Sequence, residues 1–212
     1  MEDWLVIFST PAARVKPSTP SSPPMALFAD YQPDRSADAP PPLQDLLIEP
    51  ATQRDFDPIA RLTVERQGGN LEDTRERIWR SLLNPPDTQL AFVARIEGQT
   101  VGFGKAAWTD VTADPEFSHV PIGWYLVGVI VAPAMRRRGI GLALTRHRLG
   151  ALAGRGATEV YYFVNSLNRA SIDLHRKLGF HEVQRDFRFP GATFSGGGTG
   201  ILCHKQFMED SP

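Results

Sequence analysis

VIVAPAMRRRGIGLAL, residues Val129 to Leu144, decides the fold. Its first half ends a longer run, GWYLVGVIV (Gly123 to Val131), that is apolar almost throughout, as a strand central in a sheet requires. Its second half opens a helix expected over about Arg138 to Ala153, with Ile140, Ala143, Leu144 and Ala151 on one face. Three arginines (Arg136, Arg137, Arg138) and two glycines (Gly139, Gly141) mark the handover. Backbone N–H groups at a helix start have no partners inside the helix, and the helix dipole there favours an anion. Glycines lacking a Cβ let backbone approach a phosphate closely. Cations at this end oppose the dipole by roughly 0.3–1 kcal/mol each unless something negative lies between them. The stretch therefore points to a strand, a phosphate-binding turn and a helix, in that order.

On the N-terminal side, LLIEPAT reads as a short strand and Thr52 as the cap of a helix carrying Asp55 and Asp57 in its first turn. A second helix is expected over about Asn70 to Leu83, ending before Pro85 and Pro86. Leu90 to Arg95 and Thr100 to Trp108 form a hairpin turning at Glu97 and Gly98. On the C-terminal side, TEVYYFVN is a strand rich in β-branched and aromatic residues, and a helix follows over about Asn168 to Leu178, stopped by Gly179. Two last strands, near Phe180 to Phe189 and Thr199 to Phe207, are joined by PGATFSGGGTG, a hairpin loop or a wall of a substrate pocket. The order is strand, two helices, three strands, helix, strand, helix, two strands. That is an α/β (α+β) class with a mixed sheet and helices on both faces.

Nine of the 18 prolines fall in residues 1–45, among Ser, Ala and Asp, so this segment is expected to be a flexible arm outside a domain spanning 46–212. Met25 is an alternative start that would make 1–24 an artefact. The 23 basic and 24 acidic residues nearly cancel, leaving no global field for nucleic acid or an anionic membrane. The single cysteine, Cys203, excludes an intrachain disulfide and reads as a small buried strand residue. No signal peptide or membrane span is read, and a cytoplasmic, monomeric or homodimeric protein is expected.

Arg136-x-x-Gly139-x-Gly141 resembles the Arg/Gln-x-x-Gly-x-Gly/Ala signature of the GNAT acetyltransferases. The resemblance continues in Asn168-Arg-Ala-Ser-Ile-Asp-Leu-His-Arg-Lys-Leu-Gly-Phe180, similar to that family's second motif. It covers about Leu46 to Phe207. It implies a central, mostly antiparallel sheet of six to seven strands with about four helices. It also implies acetyl-CoA as acyl donor and a primary amine of a small molecule or peptide as acceptor, by direct attack in a ternary complex. The backbone of Val129, Ile130 and Val131 would pair with the pantetheine arm. Arg136 fills the signature's first position, the amides of Arg137, Arg138, Gly139, Ile140, Gly141 and Leu142 would receive the pyrophosphate, and Asn168 would reach the CoA or act as a plain N-cap.

Transfer needs a donor for the carbonyl oxygen, an acid for the departing thiolate and a base for the amine. An N–H near Val129 is the candidate donor. His175 stands where most relatives have the tyrosine that protonates the thiolate, and is either that acid or a packing residue. Where several relatives have a glutamate on the central strand, this chain has Val127 beside Gly128. Tyr125 and Glu116 are then the candidate bases, with Asp110, Asp114 and His119 nearby. Tyr161 and Tyr162 alternate, one toward the cleft and one toward a helix layer. The histidines have no zinc-ligand spacing, and no metal is expected. Two readings follow: an N-acetyltransferase, or a non-catalytic acyl-CoA-binding module of the same fold.

Overall fold

A computed structural model describes residues 43, 45–82, 87–194 and 196–207. The expected arm therefore falls outside the described residues except at 43 and 45, as do the expected helix stop at Pro85 and Pro86 and the last residues, 208–212.

Seven strands form one sheet: β1 (Leu47–Pro50), β2 (Gln89–Ile96), β3 (Gln99–Thr109), β4 (Gly123–Val131), β5 (Glu159–Asn165), β6 (His181–Arg185) and β7 (Gly200–Gln206), in spatial order β1-β2-β3-β4-β5-β7-β6. Every neighbouring pair is antiparallel except β4 with β5. Among the described residues there are four α-helices: α1 (Phe56–Gln67), α2 (Leu71–Leu82), α3 (Ile140–Ala153) and α4 (Arg169–Lys177). None is long and apolar enough to cross a membrane. The class, strand count and helices expected from the sequence are all found.

The apolar alternation of the strands assigns the helices to two faces. Ala106, Trp124, Leu126, Val160, Tyr162 and Val164 point to the face covered by α3 and α4, where Leu149, Leu152, Ile172 and Leu178 pack on them. Val93 and Phe103 point the other way, onto Ile59 and Ala60 of α1 and Ile78 of α2. β4 lies fourth of seven, as its uninterrupted apolar run requires.

Two boundaries differ from the sequence reading. α3 begins at Ile140 rather than Arg138, because Arg137 (φ 63°) and Gly139 (φ 83°) adopt left-handed backbone that a helix cannot contain. β6 stops at Arg185, where Asp186 (φ 52°) turns the chain out of the sheet and sends Phe187 and Phe189 into a cluster with Tyr125 and Leu202.

Asp55 does more than favour a helix dipole. Fully buried, it accepts hydrogen bonds from the Thr52 N–H (2.8 Å) and hydroxyl (3.0 Å) and pairs with Arg95 of β2. Arg95 also donates to Glu49 of β1 at 2.8 Å and to Thr100 of β3 at 2.8 Å. One guanidinium thereby ties the start of α1 to three strands. Removing one partner of a buried pair strands the other charge, so Asp55→Ala is expected to lower stability by about 3–5 kcal/mol, read from urea denaturation.

Candidate functional site

The site is built on a break in pairing along β4. Across β3 the register runs Gly102↔Val131, Phe103↔Ile130 and Gly104↔Val129, then shifts so that Lys105 faces Val127. Gly128 is the extra residue of a β-bulge, and its φ of 64° is one that glycine adopts without strain. On the opposite side β4 registers with β5 only at Tyr125↔Tyr161. Beyond that pair the two strands diverge.

A cleft of about 1060 Å³ fills the divergence, lined by residues 126–131 of β4 and 162–165 of β5, with the start of α3, α4, the α1–α2 connection and residues 192–194 around them. The hydrogen-bond alternation of an antiparallel pair fixes which β4 groups face it. The Ala132 N–H donates to Val101 O at 2.9 Å, which makes Ile130 a bonded partner of β3 and turns the backbone groups of Val129 and Val131 toward β5. The carbonyls on that side meet arginines: Val131 O accepts from Arg136 Nε at 3.3 Å, and Val129 O from Arg66 Nη1 at 3.5 Å.

At the mouth, the first intrahelical bond of α3 runs from the Ala143 N–H to Gly139 O at 2.9 Å, so the amides of Ile140, Gly141 and Leu142 have no helical partner. With Arg137 and Gly139 left-handed, successive N–H groups form the concave turn that suits an anion. Arg136, Arg137, Gly139, Ile140, Gly141 and Leu142 all line the cleft. The Arg138 side chain does not; its Nη1 lies 3.3 Å from Met135 Sδ. Asn168 also lines the cleft, while its side chain accepts from the Ser171 N–H at 3.2 Å as an N-cap.

His175 lines the cleft from α4, 6% exposed and stacked on Tyr162 at 3.8 Å between ring centroids. Its Nδ1 donates to Ser171 O at 2.8 Å, leaving Nε2 without a proton in the neutral ring. Burial pushes its pKa down to about 3, and the charge of Arg148 adds to the depression. A ring so buried, with its Nδ1 proton given to Ser171 O, is neutral near pH 7, which favours the packing reading of His175 over the acid.

Both candidate bases lie elsewhere. Tyr125 is fully buried on the far face of β4, its hydroxyl donating to Pro121 O at 2.9 Å, and burial raises its pKa above the ordinary tyrosine value. Tyr161 stacks on it, so neither ring is in the cleft; Tyr162 is the one that lines it, under α4. Glu116 is exposed on a 3-10 turn (Pro115–Phe117) away from the cleft walls, and His119 is tied to Arg188 O at 3.1 Å.

Several groups were missed. Asp73 and Glu76 of α2 are the carboxylates of the cleft wall, and Lys105 and Arg148 are cations in it. Lys105, 2% exposed, donates to Ser81 Oγ at 2.8 Å, and burial lowers its pKa to about 8. Residues 192–194 show that the glycine-rich connection reaches the cleft as well as linking strands. Among the described residues, no group of three or more His, Cys, Asp or Glu side chains could hold a metal.

A ring that is neutral when folded but free to protonate when unfolded takes stability away as acid is added. From pH near the unfolded value of about 6.5 down toward 3, His175 is expected to reduce stability by up to ~1.4 kcal/mol per pH unit. His175→Phe, which keeps the stack on Tyr162, should flatten that part of a stability-versus-pH curve; an unchanged slope would refute the neutral assignment.

Residues 51–180 match the model of the acetyltransferase (GNAT) family. A mycothiol acetyltransferase from Thermobispora bispora is 37% identical over 117 residues, covering 55% of this chain and 37% of that protein. The chain thus spans well under two thirds of the curated relatives it matches. Among solved structures, a ribosomal-protein-alanine N-acetyltransferase from Brucella melitensis superposes with a TM-score of 0.57 at 24% identity, over 76% of this chain and 99% of that one. A Salmonella typhimurium protein solved with its cofactor acetyl-CoA superposes at 0.56 with 18% identity, over 80% and 98%. At these identities the structural matches speak for the fold.

Proposed function

This chain belongs to the acetyltransferase (GNAT) family, and on that premise we propose that it is an acetyl-CoA-dependent N-acetyltransferase acting on a primary amine by direct attack in a ternary complex. The observation that carries the reading is the wedge between β4 and β5. There the backbone of Val129 and Val131 faces an open cleft that ends at the unpaired amides of α3.

The residues present fit the group. The edge of β4 at Val129 to Val131 offers strand-like pairing to an amide-bearing pantetheine arm. The amides of Arg137 to Leu142, with the Arg136 and Arg137 side chains in the wall, suit a pyrophosphate. A Cβ at Gly141 would stand in ordinary contact with Leu174 and Val129, at 3.6 and 3.7 Å, so a longer side chain there would reach into the cleft they line. When bound, acetyl-CoA supplies an activated thioester. The chain's part is to orient it along β4, to present the Val129 N–H where negative charge develops, and to admit the amine past Asp73 and Glu76, whose charge draws a cation. His175 packs the cleft in its neutral form and contributes no acid limb to the pH profile between about pH 6 and 9.

One observation favours the second reading, a non-catalytic acyl-CoA-binding module: the ring in the thiolate-acid position is buried, with its Nδ1 proton given to Ser171 O. Release of free thiol from acetyl-CoA in the presence of a panel of amines separates the two. A mycothiol-related acceptor, suggested by the names of the relatives, belongs first in that panel. Amine-dependent release is expected; CoA binding with no release across the panel would favour the module. Gly141→Asp, which sets a carboxylate in the phosphate turn, is expected to weaken acetyl-CoA binding at least about tenfold, or ~1.4 kcal/mol. Normal affinity in that variant would mean the pyrophosphate does not bind at the start of α3.

A further inference from the structure

Arg148 is the largest fully buried side chain in the protein's described core, and it sits on α3 among Leu144, Leu149 and Leu152, where an apolar residue would pack at lower cost. Its guanidinium makes no ion pair with a carboxylate among the described residues. Every hydrogen bond goes to a neutral oxygen: Nη1 to Lys105 O at 2.8 Å and Gly128 O at 3.1 Å, Nη2 to Thr145 Oγ1 at 3.0 Å, and Nε to Leu144 O at 3.4 Å. The two Nη1 acceptors flank the β3–β4 bulge. Room for the charged head comes from Gly104, where a Cβ would stand 3.2 Å from Arg148 Cζ and Nε. Thr145 in turn donates to Gly141 O at 2.8 Å, so one chain of hydrogen bonds runs from the α3 turn to the bulge.

The geometry of one peptide gives this network a purpose. There is no cis peptide bond among the described residues, so the Gly128 carbonyl and the Val129 N–H, which share a planar trans unit, point in opposite directions. A donor that holds Gly128 O toward α3 therefore holds the Val129 N–H away from it, toward the cleft. A bulge built on a glycine with φ 64° has more freedom than regular strand, and without such a clamp that peptide can rotate. The same positive charge, drawing electron density from the carbonyl, strengthens the N–H as a donor.

We propose that Arg148 is a positioning residue for acetyl transfer: by clamping the carbonyls of Lys105 and Gly128 it aims the Val129 N–H at the thioester oxygen and places an uncompensated positive charge behind it. The inference rests on the reading of the cleft as an acetyl-CoA site. It explains why a guanidinium, rather than leucine, occupies this point of the helix–sheet interface. It also explains why the cation lacks a carboxylate partner, since a partner would cancel the field that the oxygen is to feel.

The test needs no knowledge of the acceptor. Acetyl-CoA labelled with carbon-13 at the carbonyl is bound to the full chain, and its carbonyl stretch is compared with that of the free molecule by isotope-edited infrared spectroscopy. In the wild type the stretch should move to lower frequency. In Arg148→Met most of that displacement should vanish, while acetyl-CoA affinity stays within about threefold and the melting temperature is equal or higher, a buried unpaired charge having been removed. With any amine the wild type accepts, kcat should fall about tenfold or more at nearly unchanged KM for acetyl-CoA. Arg148→Lys, with one compact ammonium in place of the fork, should recover part of the displacement. Should Arg148→Met not fold, Thr145→Val, which removes the acceptor steadying Nη2, gives the same readout with a smaller loss. A bound carbonyl whose stretch is the same in wild type and variant overturns this inference and leaves the cofactor site standing. A wild type that binds no acetyl-CoA overturns the cofactor site, and the positioning role with it.

Discussion

The bulge at Gly128 is the constraint on which the rest of the molecule turns. A sheet strand flanked on both sides would normally satisfy its N–H and C=O groups on both edges, and β4 does so only as far as Tyr125 on the β5 side. Beyond that point the extra residue in the ladder with β3 lets β4 and β5 part, and a central strand acquires an open edge inside the protein. Such an edge would be a liability at a surface, because it invites pairing with other chains. Here it is sheltered by α3 and α4 and its carbonyls are already met by Arg66 and Arg136. What is left for an entering extended group is a short length of backbone that behaves as a vacant strand position.

The fold was largely legible in the sequence because its signals are local. An unbroken apolar run placed β4 with both its ends correct, and turn residues placed the hairpin of β2 and β3. The phosphate turn was legible for the same reason: glycines, arginines and a helix start fall within six residues. Even there the helix boundary slipped by two residues, since nothing in the identity of Arg137 announces a left-handed backbone.

The catalytic end was not legible, and the reasons are physical. Period-two alternation shows that Tyr125 and Tyr161 differ in facing from their neighbours but not which face carries the cleft, so Tyr125 could be read as a base while it lies buried on the far side. A histidine has the same letter whether solvated or stacked under a helix, and only burial against Tyr162 takes His175 from a titrating group to a neutral one. Asp73 and Glu76 sit on a helix remote in sequence from every motif, and reach the cleft only because α2 packs with α1 against β2 and β3. Lys105 and Arg148 read as ordinary polar letters in a strand and a helix. A cation within an otherwise apolar face is the one signal the sequence offers for them.

Among the described residues, the buried lysine and arginines, Arg95, Lys105 and Arg148, show two uses of one cost. Taking a charge out of water is unfavourable, and Arg95 offsets it by pairing with Asp55 and Glu49 while adding a bond to Thr100. That cluster joins the start of α1 to the sheet edge formed by β1, β2 and β3. Lys105 and Arg148 bond instead to a hydroxyl and to carbonyls, and burial alone lowers both, to about 8 and about 9. Both line the cleft. Pairing them with carboxylates would have stabilised the protein in isolation, and it would have cancelled the positive charge beside the cleft. The fold pairs its buried charge with carboxylates where it joins α1 to the sheet edge, and leaves it without them beside the bulge that opens the sheet.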